Sequence, residues 1–167
     1  SVWAITEDCR IDTKFGASGK AVMPAQSPIE IQGGALTLEV DSLGRIVALA
    51  SATLSGRLHA ARWLADGTPD RSFGPHSAGY VSVAVPDGAP LVPGALAIRP
   101  DNRVLVAVTM AYNTQTGYWP GFVQLAADGM LDPSFGDGGV VAVKPVPNYY
   151  ASPKDLVLLE DGSAIQA

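Results

Sequence analysis

The sequence predicts an all-β domain made of repeated four-stranded units, and three observations support this prediction. Glycine (18) and proline (13) are abundant in the 167 residues, which is typical of short strands joined by many turns. No stretch has the apolar spacing of three and four residues that an amphipathic helix requires, so we expect almost no helix. The third observation is an internal repeat, because the pattern Asp-x-x-Phe-Gly occurs three times.

The three copies of this pattern, here called anchors, are Asp12–Gly16, Asp70–Gly74 and Asp132–Gly136. Their phenylalanines, at 15, 73 and 135, are 58 and 62 residues apart. Each anchor follows another Asp by four residues, and a turn residue follows each Phe by 29, 29 and 27 residues. These flanking positions are Asp8, Asp66 and Asp128 before the anchors and Gly44, Asn102 and Gly162 after them.

The first two units are each predicted to contain four strands of about six residues, bounded by turn-forming residues, and the third unit is predicted to contain three. The three units cover about 1–58, 59–120 and 121–167 of a single repeat domain. The predicted strands are Lys20–Ala25, Ala35–Val40, Arg45–Ala52 and Leu58–Leu64, then Tyr80–Val85, Leu96–Arg99, Val104–Met110 and Gly121–Leu125, then Val140–Val143, Asp155–Leu159 and Ser163–Gln166. The third unit lacks a fourth strand. Because Ser1–Thr6 aligns with the fourth strands of the other units, we expect it to complete the last sheet of a ring.

The segments Ala65–Gly74 and Ala127–Gly136 resemble the bacterial delta-60 β-propeller repeat. The segment Ile98–Ala107, which contains the turn residue Asn102 and the apolar run after it, resembles a second recurring segment of that repeat. The resemblance covers nearly the whole chain and is weakest in the first unit, where Cys9 and Arg10 replace the glycine turn. It implies β-propeller blades of four antiparallel strands, with three repeats in the chain, and it implies no enzyme activity. Three blades would leave too tight a ring, so we expect half of a six-bladed ring, closed as a homodimer, or a propeller fragment completed by another chain segment.

Composition narrows the possible partners. The net charge of −5 and the pI near 4.8 argue against nucleic acid, whose binding proteins need a basic patch for the phosphates. No apolar segment is long enough to span a membrane, and no signal peptide is visible, although a removed one would leave no trace. We expect a bacterial protein that is exported to the periplasm, the cell surface or the medium.

The repeated Asp residues have two interpretations, a cation site or turn chemistry. A calcium loop places oxygen ligands at alternate positions and ends with a Glu, whereas the spacing here is four residues and no Glu follows. We therefore interpret these Asp residues as turn formers and predict no metal and no cofactor. The anchor phenylalanines are predicted to wedge between neighbouring blades. We predict no catalytic residues, because the two histidines, His59 and His76, belong to no catalytic motif.

Alternating strand direction predicts that the tight turns and the anchors emerge on one face and the variable loops on the other. The variable loops are Gln26–Gly34, Pro86–Gly94, Ala111–Pro120 and Pro145–Pro153, and two of them are aromatic. Exposed aromatic and amide side chains on a rigid scaffold favour recognition of a protein or a glycan, although the rings would also serve to cover the blade ends. The candidate ligand-binding residues are Tyr112, Asn113, Tyr118, Trp119, Asn148, Tyr149 and Tyr150. The alternatives to a non-enzymatic binding module are a hydrolase or lyase with a site at the propeller axis, and a purely structural fragment.

Overall fold

A computed structural model describes residues 1–22, 35–51, 56–85, 89–113, 117–143 and 153–167, and in these residues the chain is built from antiparallel strands. The only helical segment in the described part is a short 3₁₀ turn, Pro75–Ser77, so the prediction of an all-β chain is confirmed. The strands are β1 (Val2–Trp3), β2 (Lys20–Ala21), β3 (Ala35–Val40), β4 (Ile46–Ser51), β5 (Leu58–Trp63), β6 (Tyr80–Val83), β7 (Leu91–Ile98), β8 (Val104–Asn113), β9 (Gly117–Leu125), β10 (Val140–Ala142), β11 (Leu156–Leu158) and β12 (Ala164–Gln166).

These strands form two four-stranded meanders flanked by two strand pairs. Strands β3, β4, β5 and β6 are neighbours in the first sheet, and β7, β8, β9 and β10 are neighbours in the second sheet. The N-terminal pair consists of β1 and β2, and the C-terminal pair consists of β11 and β12. Two sheets of four antiparallel strands are thus present, as the repeat predicted.

The grouping of strands into sheets differs from the prediction by one strand. The predicted strand Tyr80–Val85 was expected to open a new sheet, but Tyr80–Val83 pairs with Leu58–Trp63 and closes the first sheet. Lys20–Ala21 pairs likewise with Val2–Trp3. The physical reason is the anchor, which folds the chain back on itself. The Asp70 amide donates to the Arg62 carbonyl (2.9 Å), and the Arg62 amide donates to the Gly79 carbonyl (2.9 Å), so the chain returns beside the strand it has just left.

The predicted completion of the last sheet by the opening residues is not seen within one chain. Strands β1 and β12 lie in different sheets of the described structure and are not hydrogen-bonded to each other, so this chain alone does not close a ring.

Two predicted loops are shorter than expected because strands extend into them. Residues 111–113 and 117–120 belong to β8 and β9, where a loop was predicted at Ala111–Pro120. Strand β7 begins at Leu91, within the predicted loop Pro86–Gly94, and contains Pro93 beside a shift in register. A proline is tolerated there because β7 is the edge strand of the second sheet and needs to donate hydrogen bonds on one side only.

The core lies between successive sheets rather than inside one closed layer. The largest apolar cluster joins the first and second sheets and includes Leu49, Leu58, Val106 and Val123. Smaller clusters join the N-terminal pair to the first sheet and the second sheet to the C-terminal pair. A central sheet is therefore buried on both faces, which explains why all six residues of β5 are buried and why its sequence does not alternate with polar residues.

Candidate functional site

Antiparallel pairing gives the stacked sheets two distinct edges. One edge, here called the turn edge, holds the turns at residues 41–45, 99–103 and 159–163 and the anchor segments that join β5 to β6 and β9 to β10. At the opposite edge, here called the loop edge, strands β2, β4, β6, β8 and β10 end. The tight turns and the anchors lie together at the turn edge, as predicted, whereas most residues of the four predicted variable loops lie outside the described part of the chain.

At the turn edge, the repeated Asp carboxylates accept hydrogen bonds from their own turns. The Asp70 carboxylate accepts from the Ser72 amide (2.9 Å) and hydroxyl (2.7 Å), and the Asp132 carboxylate accepts from the Ser134 amide (3.0 Å) and hydroxyl (2.6 Å). The same contact to the amide two residues ahead is made by Asp12, Asp41, Asp66, Asp101, Asp128 and Asp161. The interpretation of these residues as turn formers is confirmed by these contacts.

The turn edge also joins each repeat to the next. The Gly16 amide donates to the Asp66 carbonyl and the Gly74 amide donates to the Asp128 carbonyl, both at 2.7 Å. A Cβ added at Gly129 would lie 2.9 Å from the ring of Phe73, so this glycine allows the ring to pack directly beneath the turn. Phe15 lies in the same way beneath the Gly67 turn, where an added Cβ would lie 3.0 Å from the ring. Phe15 and Phe73 therefore do wedge between neighbouring repeats, as predicted.

A buried arginine at this edge was not expected from the sequence. The Arg62 side chain is 1% exposed and donates to the Asp70 carboxylate (2.7 Å), and it also donates to the Ala127 carbonyl of the following repeat (2.6 Å). The guanidinium lies 4.5 Å from the centre of the Phe73 ring, a cation–π contact. In the next repeat Gln124 takes this place and donates to Asp132 at 2.8 Å. The available signal was a polar residue within an apolar strand, eight residues before the anchoring Asp in both repeats.

The electrostatics of this cluster are those of a structural ion pair. Burial lowers the pKa of the Arg62 guanidinium, and the neighbouring Asp70 partly restores it. Burial opposes ionisation of Asp70 itself, but the Ser72 hydrogen bonds and the Arg62 charge outweigh this effect and lower the pKa of the carboxyl group. Hydrogen bonds from Ser134 and Gln124 hold the pKa of Asp132 well below its usual range. Arg62 thus joins two repeats through its contact with Ala127, whereas the Asp70 and Asp132 carboxylates are held by hydrogen bonds from their own turns.

The main described feature of the loop edge is the end of the hairpin formed by β8 and β9, where four of the predicted ligand-binding residues lie. Ala111 pairs with Tyr118 and Met110 pairs with Trp119. Tyr112 and Asn113 end β8 on the facing strand, so four of the seven candidate residues share one hairpin end. Trp119 is half-buried, and its cross-strand neighbour Met110 is fully buried in the main apolar cluster. The hairpin therefore extends directly from the core of the second sheet.

The other three candidates, Asn148, Tyr149 and Tyr150, lie outside the described residues. Strand β10, which precedes them, pairs with β9 up to Ala142, opposite Gly121, and therefore ends at the loop edge.

The hairpin end is longer than its counterpart in the first sheet. The pair Ser51–Leu58 is the last described pair of β4 and β5, and six residues separate its members. The equivalent pair in the second sheet is Thr109–Pro120, whose members are separated by ten residues. The second sheet therefore carries a four-residue insertion at the position of the aromatic residues.

The two histidines lie in different surroundings. His59 is buried in β5, opposite Ala50, and burial followed by the nearby Arg57 charge lowers the pKa of its imidazole. His76 is exposed in the 3₁₀ turn, with a backbone φ of 58°, beside a cleft of about 1340 Å³ that is also lined by Lys20, Arg71 and Tyr80.

In the described part of the chain, no group of three or more His, Cys, Asp or Glu side chains is arranged to hold a metal ion. The described residues likewise include no helix with the length and hydropathy needed to traverse a bilayer.

Comparison with known proteins bears on the fold. Residues 99–135 match a family model described as a domain of unknown function (DUF5122) beta-propeller. This stretch contains β8, β9 and most of the third anchor. The search of curated proteins finds no match to the chain. The family match supports a β-propeller repeat, and the stacked four-stranded antiparallel sheets agree with it.

Proposed function

We propose that this chain is a non-enzymatic β-propeller binding module of the delta-60 repeat type, which recognises a protein or glycan ligand at its loop edge. The observation that carries the proposal is the four-residue insertion at the end of the β8–β9 hairpin, which adds aromatic and amide residues to an otherwise repeated sheet. The ligand-binding residues in this proposal are Tyr112, Asn113, Tyr118 and Trp119, together with Asn148, Tyr149 and Tyr150.

In this proposal, the turn edge holds the repeats together and the loop edge binds the ligand. Side chains and amides at the turn edge are engaged in contacts between repeats, such as Gly74 with Asp128 and Arg62 with Ala127. The loss of one of these contacts would disturb the stacking of the sheets. The loop edge differs in length from one sheet to the next, and variable segments on a rigid scaffold are the usual place for binding.

Among the ligands considered, a glycan fits the hairpin end best. Tyrosine and tryptophan rings supply flat apolar faces, and asparagine supplies both a donor and an acceptor for sugar hydroxyls. A stable protein–protein interface buries about 800 Å² on each partner. An insertion of four residues adds only a small surface, which suits one or two sugar rings better than a protein partner.

The proposal includes the surroundings of the module. We place the described sheets in half of a six-bladed ring or in part of a longer propeller, in a bacterial protein that is exported. The repeat resemblance and the family match over residues 99–135 support the propeller part of this statement.

The test is the double substitution Tyr118→Ala with Trp119→Ala, assayed on a glycan microarray. If the rings stack on sugars, their loss should weaken binding by about 30-fold or more, as expected for truncation of central aromatic contacts. The matched control is Leu43→Ala, which removes an exposed apolar side chain at the turn edge and should leave binding unchanged.

Far-UV circular dichroism and urea unfolding must show that both variants keep the fold. Glycan binding that survives the double substitution would contradict the proposed site. Absence of glycan binding by the unmodified chain would favour a protein ligand or a purely structural role.

A further inference from the structure

The cleft beside His76 lies where the first repeat meets the second. Residues of the first anchor and of β2 form one wall, and residues of the second anchor and of β6 form the other. The volume of about 1340 Å³ exceeds the roughly 300–1,000 Å³ that is usual for a small-molecule pocket. The cleft therefore has room for an extended ligand.

Three basic side chains line this cleft, namely Lys20, Arg71 and His76. Among the described lining residues, the only carboxylate is that of Asp70, which already pairs with the buried Arg62 at 2.7 Å. The cleft thus has an excess of basic groups, although the whole chain has a net charge of −5. A concave surface lined by charge of one sign concentrates ligands of the opposite sign, so this cleft favours an anion.

The charges of Arg71 and Lys20 have no carboxylate partner within the described structure. The exposed Arg71 side chain makes no hydrogen bond or ion pair with another described residue, and the Lys20 ammonium lies 5.2 Å from the centre of the Trp3 ring. The other arginines all have polar partners, and they are Arg10, Arg45, Arg57, Arg62, Arg99 and Arg103. The anchor turn itself does not require arginine, because Thr13 and Pro133 take the place of Arg71 in the other two copies.

The next junction, between the second and third repeats, lacks this pair of charges. Tyr80, which begins β6, takes the place of Lys20, which begins β2. Pro133 takes the place of Arg71. Two junctions of the same backbone design thus differ in charge, so the packing of successive repeats does not explain the basic residues of the first.

The second anchor is also longer than the other two. Gly79 follows Phe73 by six residues, whereas the equivalent distance is four residues in the first and third anchors. The longer segment forms the 3₁₀ turn, in which His76 and Ser77 both have the left-handed conformation, with φ of 58° and 57°. L-residues avoid this conformation, and such exceptions concentrate at binding sites. Both residues line the cleft.

The cleft has an apolar part as well. Val22 and Leu64 line it and are 47% and 40% exposed. Pro69, Pro75 and Tyr80 line it too. A ligand that covers these side chains would gain free energy from their removal from water.

We propose that this cleft binds an acidic peptide segment of a partner protein. Carboxylates of the peptide accept hydrogen bonds from Lys20, Arg71 and His76, and its apolar side chains cover Val22 and Leu64. The basic groups belong to separate elements, which are β2, the anchor turn and the 3₁₀ turn, and this arrangement suits several carboxylates along one chain. A sulfated polysaccharide matches the charges but has no side chains for the apolar part of the lining.

The test is fluorescence anisotropy with a short fluorescein-labelled peptide of alternating Glu and Leu. This peptide should bind, and binding should weaken as the ionic strength is raised, because exposed ion pairs are screened by salt. The same peptide with Gln in place of Glu should bind about tenfold more weakly or not at all, since neutral side chains lose the charge-assisted hydrogen bonds. A peptide of alternating Glu and Ser should also bind more weakly, and equal binding would contradict the role of Val22 and Leu64.

The cleft is tested by the double substitution Lys20→Gln with Arg71→Gln. Loss of two partly exposed ion pairs should weaken binding of the Glu-Leu peptide by about tenfold. The matched control is Arg10→Gln with Lys14→Gln, which removes the same amount of charge from exposed residues outside the cleft. Far-UV circular dichroism and urea unfolding must show that both double variants keep the fold.

Three results would overturn the proposal. The first is absence of binding of the Glu-Leu peptide at low ionic strength. The second is equal weakening by the two double substitutions, which would assign binding to the net charge of the chain. The third is a heparin fragment that binds more tightly than the peptide and depends on Lys20 and Arg71, because the cleft would then belong to a sulfated glycan.

This inference goes beyond the proposed function and does not depend on it. Tyr118→Ala with Trp119→Ala should leave peptide binding unchanged, because these residues do not line the cleft. Lys20→Gln with Arg71→Gln should leave glycan binding at the hairpin end unchanged. Failure of one proposal is therefore distinguishable from failure of the other.

Discussion

A side chain at Gly129 should destabilise the fold for two separable reasons. Gly129 has a φ of +88°, where an L-residue is strained, and its added Cβ would lie 2.9 Å from the Phe73 ring. The conformational strain costs roughly 1–2 kcal/mol. Overpacking against a buried ring adds about 1–3 kcal/mol, because Phe73 is fully buried and has little room to move.

Gly162 provides a matched control because it has a nearly identical φ of +84° but open space around it. The nearest atom to its added Cβ is a nitrogen of the Arg99 side chain at 4.0 Å. Gly162→Ala should therefore show the conformational cost alone, and Gly129→Ala should exceed it by about 1–3 kcal/mol.

The measurement is urea unfolding followed by tryptophan fluorescence, with the free energy of unfolding compared between the two variants. Cys9 has a side chain in the same left-handed turn and remains exposed, with no phenylalanine of the described chain packed on it. Equal destabilisation by the two alanine substitutions would refute the argument that the anchor phenylalanine requires glycine in the next turn.

Two further predictions concern buried charge. Asp70→Ala should lower the free energy of unfolding by about 3–5 kcal/mol, because it leaves the Arg62 guanidinium buried without its carboxylate. The control is Asp66→Ala, which changes an exposed turn residue. A similar loss of stability in both variants would contradict a special role for the ion pair. Stability should also fall as the pH is lowered below 6.5, because burial lowers the pKa of His59 in the folded state and the unfolded chain then binds more protons. His59→Gln should reduce this slope in pH-dependent urea unfolding, and an unchanged slope would assign it to other groups.

The sequence predicted the elements of the fold better than their grouping. Turn residues such as Asp41 and Gly44 identified the strand ends, because their conformations are local properties of a few residues. Assignment of Tyr80–Val83 to its sheet required knowing that the anchor folds back through the Gly79 carbonyl, a contact that joins residues far apart in sequence. Spacing alone fits both groupings equally well, so the sequence could not choose between them.

The residue types of the candidate site were predicted correctly, but the secondary structure that holds them was not. The aromatic cluster at Tyr118 and Trp119 was visible as a run of residue types, yet it was assigned to a loop. The structure continues β8 and β9 into this region, because cross-strand pairing continues past Met110. The buried Arg62 was missed for a related reason, since its partners Asp70 and Ala127 come together only when successive repeats pack.

The sequence by itself determined the all-β class, the repeat and the chemistry of the turns. These features follow from local preferences. Glycine permits a positive φ, and the Asp carboxylate accepts hydrogen bonds from the amides of its own turn. A phenylalanine that recurs in each repeat indicates that each repeat buries it in an equivalent place. Only the tertiary structure decided which strands share a sheet and which surfaces stay uncovered. Those outcomes depend on hydrogen bonds and packing between repeats, such as Gly74 with Asp128, and no single repeat contains both halves of such a contact.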